Sequence, residues 1–145
     1  MRRLMLLTIT ILLTAGTATA AQYGMRAGLS LSPDQFVVGG QMDLGAAIGA
    51  TRLVPNVELG FGNSLTTVAF NGGLIYDFPD TPWSLGGELG LNIADHSSGA
   101  SSTDLGLSVL GDYRLGLSSG KTLILEAKLG LVDSADFKFT VGWSF

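Results

Sequence analysis

Large apolar side chains recur at every second position along most of this chain. In the last nine residues, Phe137, Phe139, Val141, Trp143 and Phe145 alternate with Lys138, Thr140, Gly142 and Ser144. A period of two is that of a β-strand whose two faces meet different surroundings. The same phase sets Leu123, Leu125, Ala127, Leu129 and Leu131 against Glu126 and Lys128. It also sets Leu105, Leu107, Val109, Tyr113 and Leu115 against Asp112 and Arg114. Turn-rich points such as Ser32-Pro33-Asp34, Gly62-Asn63-Ser64, Pro79 to Pro82 and Ser118-Ser119-Gly120 interrupt the alternation. The pattern predicts eight strands, at 22–32, 36–46, 51–62, 65–78, 83–95, 103–117, 122–131 and 137–145. Several approach the ~9–11 residues that a tilted strand needs to cross a bilayer.

The charges obey this phase. Arg26 lies opposite Met25, Ala27 and Leu29; Asp43 opposite Met42 and Leu44; Glu58 opposite Val57, Leu59 and Phe61; and Glu88 opposite Leu89 and Leu91. Arg52 and Asp77 stand near strand ends, and no charge interrupts the middle of an apolar face. A short echo recurs in Asp43-Leu-Gly-Ala, Glu58-Leu-Gly-Phe, Glu88-Leu-Gly-Leu, Asp104-Leu-Gly-Leu and Lys128-Leu-Gly-Leu, where a charge and a Gly share one face. A Gly beside a long polar side chain gives that side chain room to lie flat in a narrow space. Pro55 falls on the apolar face of the third strand, where it predicts a bulge and leaves the facing of Arg52 open.

Residues 1–20 have a different pattern: Arg2 and Arg3, an apolar run from Leu4 to Leu13, then Ala18-Thr19-Ala20. This is the layout of an export signal with an Ala-x-Ala cleavage site, which leaves a single domain at 21–145. The chain has no Cys, so packing and hydrogen bonds must hold it without disulfides. All twelve acids and six of the eight bases follow residue 20, a net charge of 6 − 12 = −6. That balance, without basic clusters, argues against nucleic acid as a partner.

An alternating barrel can hide its apolar face inside, as a soluble lipocalin-like barrel does, or turn it outward to lipid. Only 14% of the residues are charged, too few for a well-hydrated surface. With strand directions alternating, Tyr23, Tyr76, Phe78, Trp83, Tyr113, Trp143 and Phe145 gather near one edge and Phe36, Phe61, Phe137 and Phe139 near the other. Two aromatic bands are the interfacial girdles of a membrane barrel. The expected fold is all-β, an eight-stranded antiparallel up-and-down transmembrane β-barrel.

With its export signal, eight alternating segments and closing Val141-Gly-Trp-Ser-Phe145, the chain resembles the small outer-membrane β-barrel proteins, the group that includes OmpX and the OmpA transmembrane domain. The resemblance implies a bacterial outer-membrane location and contact with outer-membrane lipids, including lipopolysaccharide. It also implies that the terminal aromatic strand, with Trp143 and Phe145, is read by the outer-membrane assembly machinery. A monomer is expected, with Tyr23, Tyr76 and Trp83 completing the girdle on that side.

The lumen of eight strands is filled by side chains. Here it is expected to hold a polar network of Arg26, Asp43, Glu58, Glu88, Asp112, Arg114, Glu126, Lys128 and Lys138. Mixed and nearly balanced charges suit an ion-paired plug better than a narrow porin-like channel, where a ring of one sign is expected. An enzyme is the sharper alternative: His96 and Ser98, with Asp104 nearby, have a spacing similar to the His-x-Ser pair of lipid A deacylases. The pair lies in a loop sequence, HSSGASS, with no oxyanion hole in view, so no catalytic residue is assigned. Neither a metal site nor a cofactor site is expected: there is no Cys and only one His. The reading is an integral outer-membrane barrel with a non-catalytic structural or interaction role.

Overall fold

The computed structural model describes residues 21–145, so the export signal expected at 1–20 lies outside the described residues. Nine strands follow one another: β1 (Gln22–Leu31), β2 (Gln35–Asp43), β3 (Ala46–Ile48), β4 (Thr51–Phe61), β5 (Leu65–Asp77), β6 (Trp83–His96), β7 (Ser101–Gly116), β8 (Thr122–Val132) and β9 (Phe137–Ser144). Every pairing is antiparallel. β9 pairs back onto β1, and β2 onto β4, so the sheet closes on itself and leaves no long free edge. The short β3 prolongs the β2 stave, which makes the closed structure an eight-stave barrel. Gln22 and Phe145 mark one end, called proximal here; the turns at 32–34, 62–64, 97–100 and 133–136 mark the distal end.

The alternation places the apolar face outward. Leu29, Leu105 and Leu131 are each about 60% exposed, and Leu85, Leu89 and Leu129 more than half. Among the described residues the buried side chains comprise seven apolar and sixteen polar or charged ones, the reverse of a water-soluble core. That inversion rules out the lipocalin-like arrangement and fits an apolar solvent around the barrel. The aromatic bands form as the register requires. Trp83 packs edge-on against Tyr113 at 4.7 Å and Tyr76 against Phe78 at 5.3 Å at the proximal end, while Phe36 lies opposite Phe61 near the distal end.

Two sequence expectations need correction. The strand expected at 36–46 breaks after Asp43, and Gly45, in the left-handed region at φ 77°, starts the offset segment β3. Pro55 causes no bulge in its own strand, since β4 pairs with β5 without interruption from Thr51 to Phe61. Its effect falls on the other neighbour. Leu53 N–H donates to Gly45 O on that side, and alternate amides point the same way, so the donor missing from Pro55 would have faced β2. The β2–β4 ladder stops at Gln41 and Asn56, next to the proline. Arg52, whose facing was left open, points inward and is buried.

Closure depends on a close approach at the β1–β9 seam. A Cβ on Gly28 would stand 2.0 Å from Phe139 O and 2.7 Å from Thr140 Cα, both of them backbone atoms. A methyl group there must separate the two strands that close the barrel. Gly28→Ala is therefore expected to cost roughly 1–3 kcal/mol, the range for overpacking a tight interior. The urea midpoint of the purified protein in micelles measures it; an unchanged midpoint would show that the seam has slack.

Candidate functional site

The inward residues of seven staves converge at mid-height on one ion-paired network. Arg26, from β1, is a planar donor that reaches three other strands. Its Nε donates to Gln41 Oε1 at 3.0 Å, Nη1 to Glu58 Oε1 at 2.9 Å and Nη2 to Glu126 Oε2 at 2.9 Å. Lys128 Nζ donates to Glu88 Oε1 at 2.5 Å and stands 3.6 Å from Glu58 and 3.7 Å from Glu126. Lys138 Nζ donates to Glu58 Oε2 at 2.5 Å. Neutral donors occupy further acceptor sites: Asn56 Nδ2 on Glu88 Oε2 at 2.8 Å, Asn71 Nδ2 on Asn56 Oδ1 at 2.8 Å, and Thr140 Oγ1 on Glu126 Oε1 at 3.2 Å. Three bases and three acids meet here, so the network is neutral by count. Neutrality matters because an unpaired charge buried in this space is costly.

Four of the echo glycines lie beneath lumen groups from other segments, of which Asn71 alone belongs to this network, rather than beside the charge of their own echo. At Gly90 an added Cβ would lie 2.1 Å from Asn71 Oδ1, and at Gly106 2.5 Å from Asn92 Nδ2. Gly60 is overlain by Gln35 and Thr67, and Gly130 by Ser134 and Ala135. Gly45 is the exception: it meets nothing within 4 Å and serves the break in the β2 stave.

A second polar cluster sits at the proximal end. Arg52 binds Asp77 through Nε at 2.6 Å and Nη2 at 3.0 Å and also binds Asp43; Ser84 Oγ donates to Asp77 Oδ1 at 2.6 Å. Arg114 Nη1 lies 3.7 Å from Asp77. Asp112 is buried between the clusters, and neither its Oδ1 nor Arg114 Nε has a hydrogen-bond partner. An apolar cluster of Val54, Ile75 and Leu110 is buried on the same inward faces. The residues expected in one network thus divide: Arg26, Glu58, Glu88, Glu126, Lys128 and Lys138 in the centre, Asp43 and Arg114 proximally, and Asp112 between the two and in no ion pair among the described residues. Arg52 and Asp77, read only as strand-end charges, organise the proximal cluster. The apolar cluster also went unread, although its signal was present: Val54 is in phase with Arg52 and Asn56, Ile75 with Asp77, and Leu110 with Asp112.

Above the central network the lumen opens into a distal vestibule of about 240 Å³, with Glu58 and Lys138 among its walls. A cavity of about 20 Å³, room for a water, lies beside Glu88 and Lys128. His96 ends β6 and is exposed; its backbone N–H donates to Ala100 O at 2.8 Å. Among the described residues no hydrogen bond joins His96 to Ser98 or Asp104, and Asp104 Oδ2 instead accepts from Ser102 Oγ at 3.0 Å. No group of three or more His, Cys, Asp or Glu side chains suited to a metal ion occurs among the described residues. Tyr23, Tyr76, Trp83, Trp143 and Phe145 are all exposed at the proximal end, and Lys121 Nζ lies 5.3 Å from the centre of the Trp143 ring.

The fold and this interior define a class: a closed eight-stranded transmembrane barrel of the outer-membrane type, with a polar, side-chain-filled lumen. Neisserial surface protein A has a similar structure, with a TM-score of 0.64 and 17% identity over 86% of this chain and 94% of that one. The outer membrane enzyme PagL gives a TM-score of 0.49 at 12% identity over 87% and 99% of the two chains, and the de novo designed TMB2.3 gives 0.44 at 20% over 86% and 91%. At these identities the likeness to the surface protein concerns the fold alone, and the two lower scores carry no conclusion. No protein-family model matches the chain, and no curated protein is similar to it.

Proposed function

We propose that this protein is an integral protein of the bacterial outer membrane, with a structural or interaction role and neither a pore nor an active site. The observation that carries this reading is the neutral network of Arg26, Glu58, Glu88, Glu126, Lys128 and Lys138, which occupies mid-lumen with its charges paired. Ions crossing the barrel would have to displace buried pairs, a costly step without a replacement partner. The apolar outer face and its aromatic bands support contact with outer-membrane lipids, including lipopolysaccharide on the distal side. On this reading the barrel is monomeric, and strand β9 with Trp143 and Phe145 is its address to the assembly machinery.

The test pairs two assays. The purified barrel in planar bilayers is expected to give no stable single-channel steps, and its addition to lipid A to release no acyl chain. Replacing His96 by Ala should leave assembly and the lipid A acylation pattern unchanged, because the imidazole is exposed and holds neither Ser98 nor Asp104. Regular conductance steps would establish a channel instead. Acyl release that vanishes with His96→Ala would establish an enzyme.

A further inference from the structure

The walls of the distal vestibule combine apolar side chains with two carboxylates. Apolar contacts come from Val37 on β2 and from Leu65 and Ala69 on β5. Asp104 on β7 and Asp133 after β8 also line it. Around the ring β7 lies four staves from β2 and two from β5, so Asp104 faces Val37 across the vestibule while Leu65 and Ala69 stand on the wall between them. The base of the vestibule is already neutralised, because Lys138 Nζ is committed to Glu58 Oε2. Asp104 and Asp133 have no cation within ion-pair distance among the described residues. Ser30, also in the lining, is 3% exposed and its Oγ has no hydrogen-bond partner. A buried hydroxyl usually finds a partner, and one left single in a cavity wall is an available contact.

We infer that the vestibule binds a small amphipathic organic ammonium ion, its charged end between Asp104 and Asp133 and its hydrocarbon against Val37, Leu65 and Ala69. The sign follows from the charges left over. A cation meets two uncompensated carboxylates, whereas an anion must draw Lys138 away from Glu58 and leave that carboxylate short of a partner. The size follows from the space: about 240 Å³ is just below the ~300–1,000 Å³ typical of ligand pockets, so the guest is small. The site ends on the central network and needs no passage through it. Binding and conductance therefore fail separately, and a conducting barrel would overturn the proposed function without touching this inference.

Three probes of matched shape, n-butylammonium, n-butanol and n-butyrate, separate charge from apolar contact. Titrated into the protein in maltoside micelles and followed by calorimetry and ligand-observed NMR, butylammonium should bind at millimolar concentration and weaken as salt is raised. Butanol should bind at least tenfold more weakly and butyrate not detectably. The double variant D104N/D133N, with the barrel verified by its heat-dependent shift on gels, should lose at least tenfold in butylammonium affinity. Ala69→Phe, which fills the apolar arc, should abolish binding while the acids remain. The inference is overturned if butylammonium does not bind, if it binds both variants as it binds the parent, or if butyrate binds as well as butylammonium.

Discussion

Replacing Arg26 by Met is expected to destabilise the barrel by about 3–5 kcal/mol, the cost of removing one partner from a buried ion pair. The guanidinium holds two carboxylates, Glu58 and Glu126, each at 2.9 Å and each 2% exposed. Without it, two bases face three acids in a closed space. Glu58 keeps Lys138, but Glu126 is left with Thr140 and with Lys128 at 3.7 Å. The loss should therefore be recovered in part by a second change that removes the stranded charge. In R26M/E126Q, Lys128 and Lys138 balance Glu58 and Glu88, and the pair should be at least ~1 kcal/mol more stable than Arg26→Met alone, within the range for coupled neighbours. Urea titration in micelles with all three proteins reads both numbers. A double variant no more stable than the single one would mean that packing, not charge balance, is what Arg26 supplies.

Deleting Phe145 should have its largest effect in cells. Its N–H donates to Tyr23 O at 2.8 Å, a bond at the seam where the chain closes on itself. The ring is 60% exposed, so its removal gives up only part of the ~1.5–3 kcal/mol available to a fully buried apolar side chain. Refolding in detergent should proceed with modestly lower stability, because β9 keeps its ladder to β1 through Ser144 and to β8. If the terminal strand is an address for assembly, as proposed, the amount in the outer membrane should fall several-fold while the refolded stability barely moves. Immunoblots of fractionated membranes beside unfolding curves separate the two. Equal accumulation of parent and deletion would reduce Phe145 to one more ring in the girdle.

The strands and their facing were legible in the sequence because a period of two is a local property. Once Glu126 and Lys128 stand opposite Leu125 and Leu129, the strand has a polar and an apolar face wherever it ends up. The low share of charge and the two aromatic bands then chose lipid over water for the apolar face. Alternation even marked Val54, Ile75 and Leu110 as inward, although apolar residues on a polar face attract no notice until their neighbours are known.

What only the closed barrel decided is which charges meet. Arg26 and Glu126 are separated by 100 residues in sequence and touch because β1 pairs with β9, which places β8 two staves away. Register across several strands, a sum of turn lengths and bulges such as the shift between Leu107 and Ser108, sets whether Arg114 joins the central network or the proximal one. It also sets where Pro55 acts: the missing amide leaves its own strand straight and ends the β2 ladder beside it. Local pattern determines a residue's face. Height and partner in the lumen are determined by the stagger of all eight staves, a property of the whole circuit that no single segment contains.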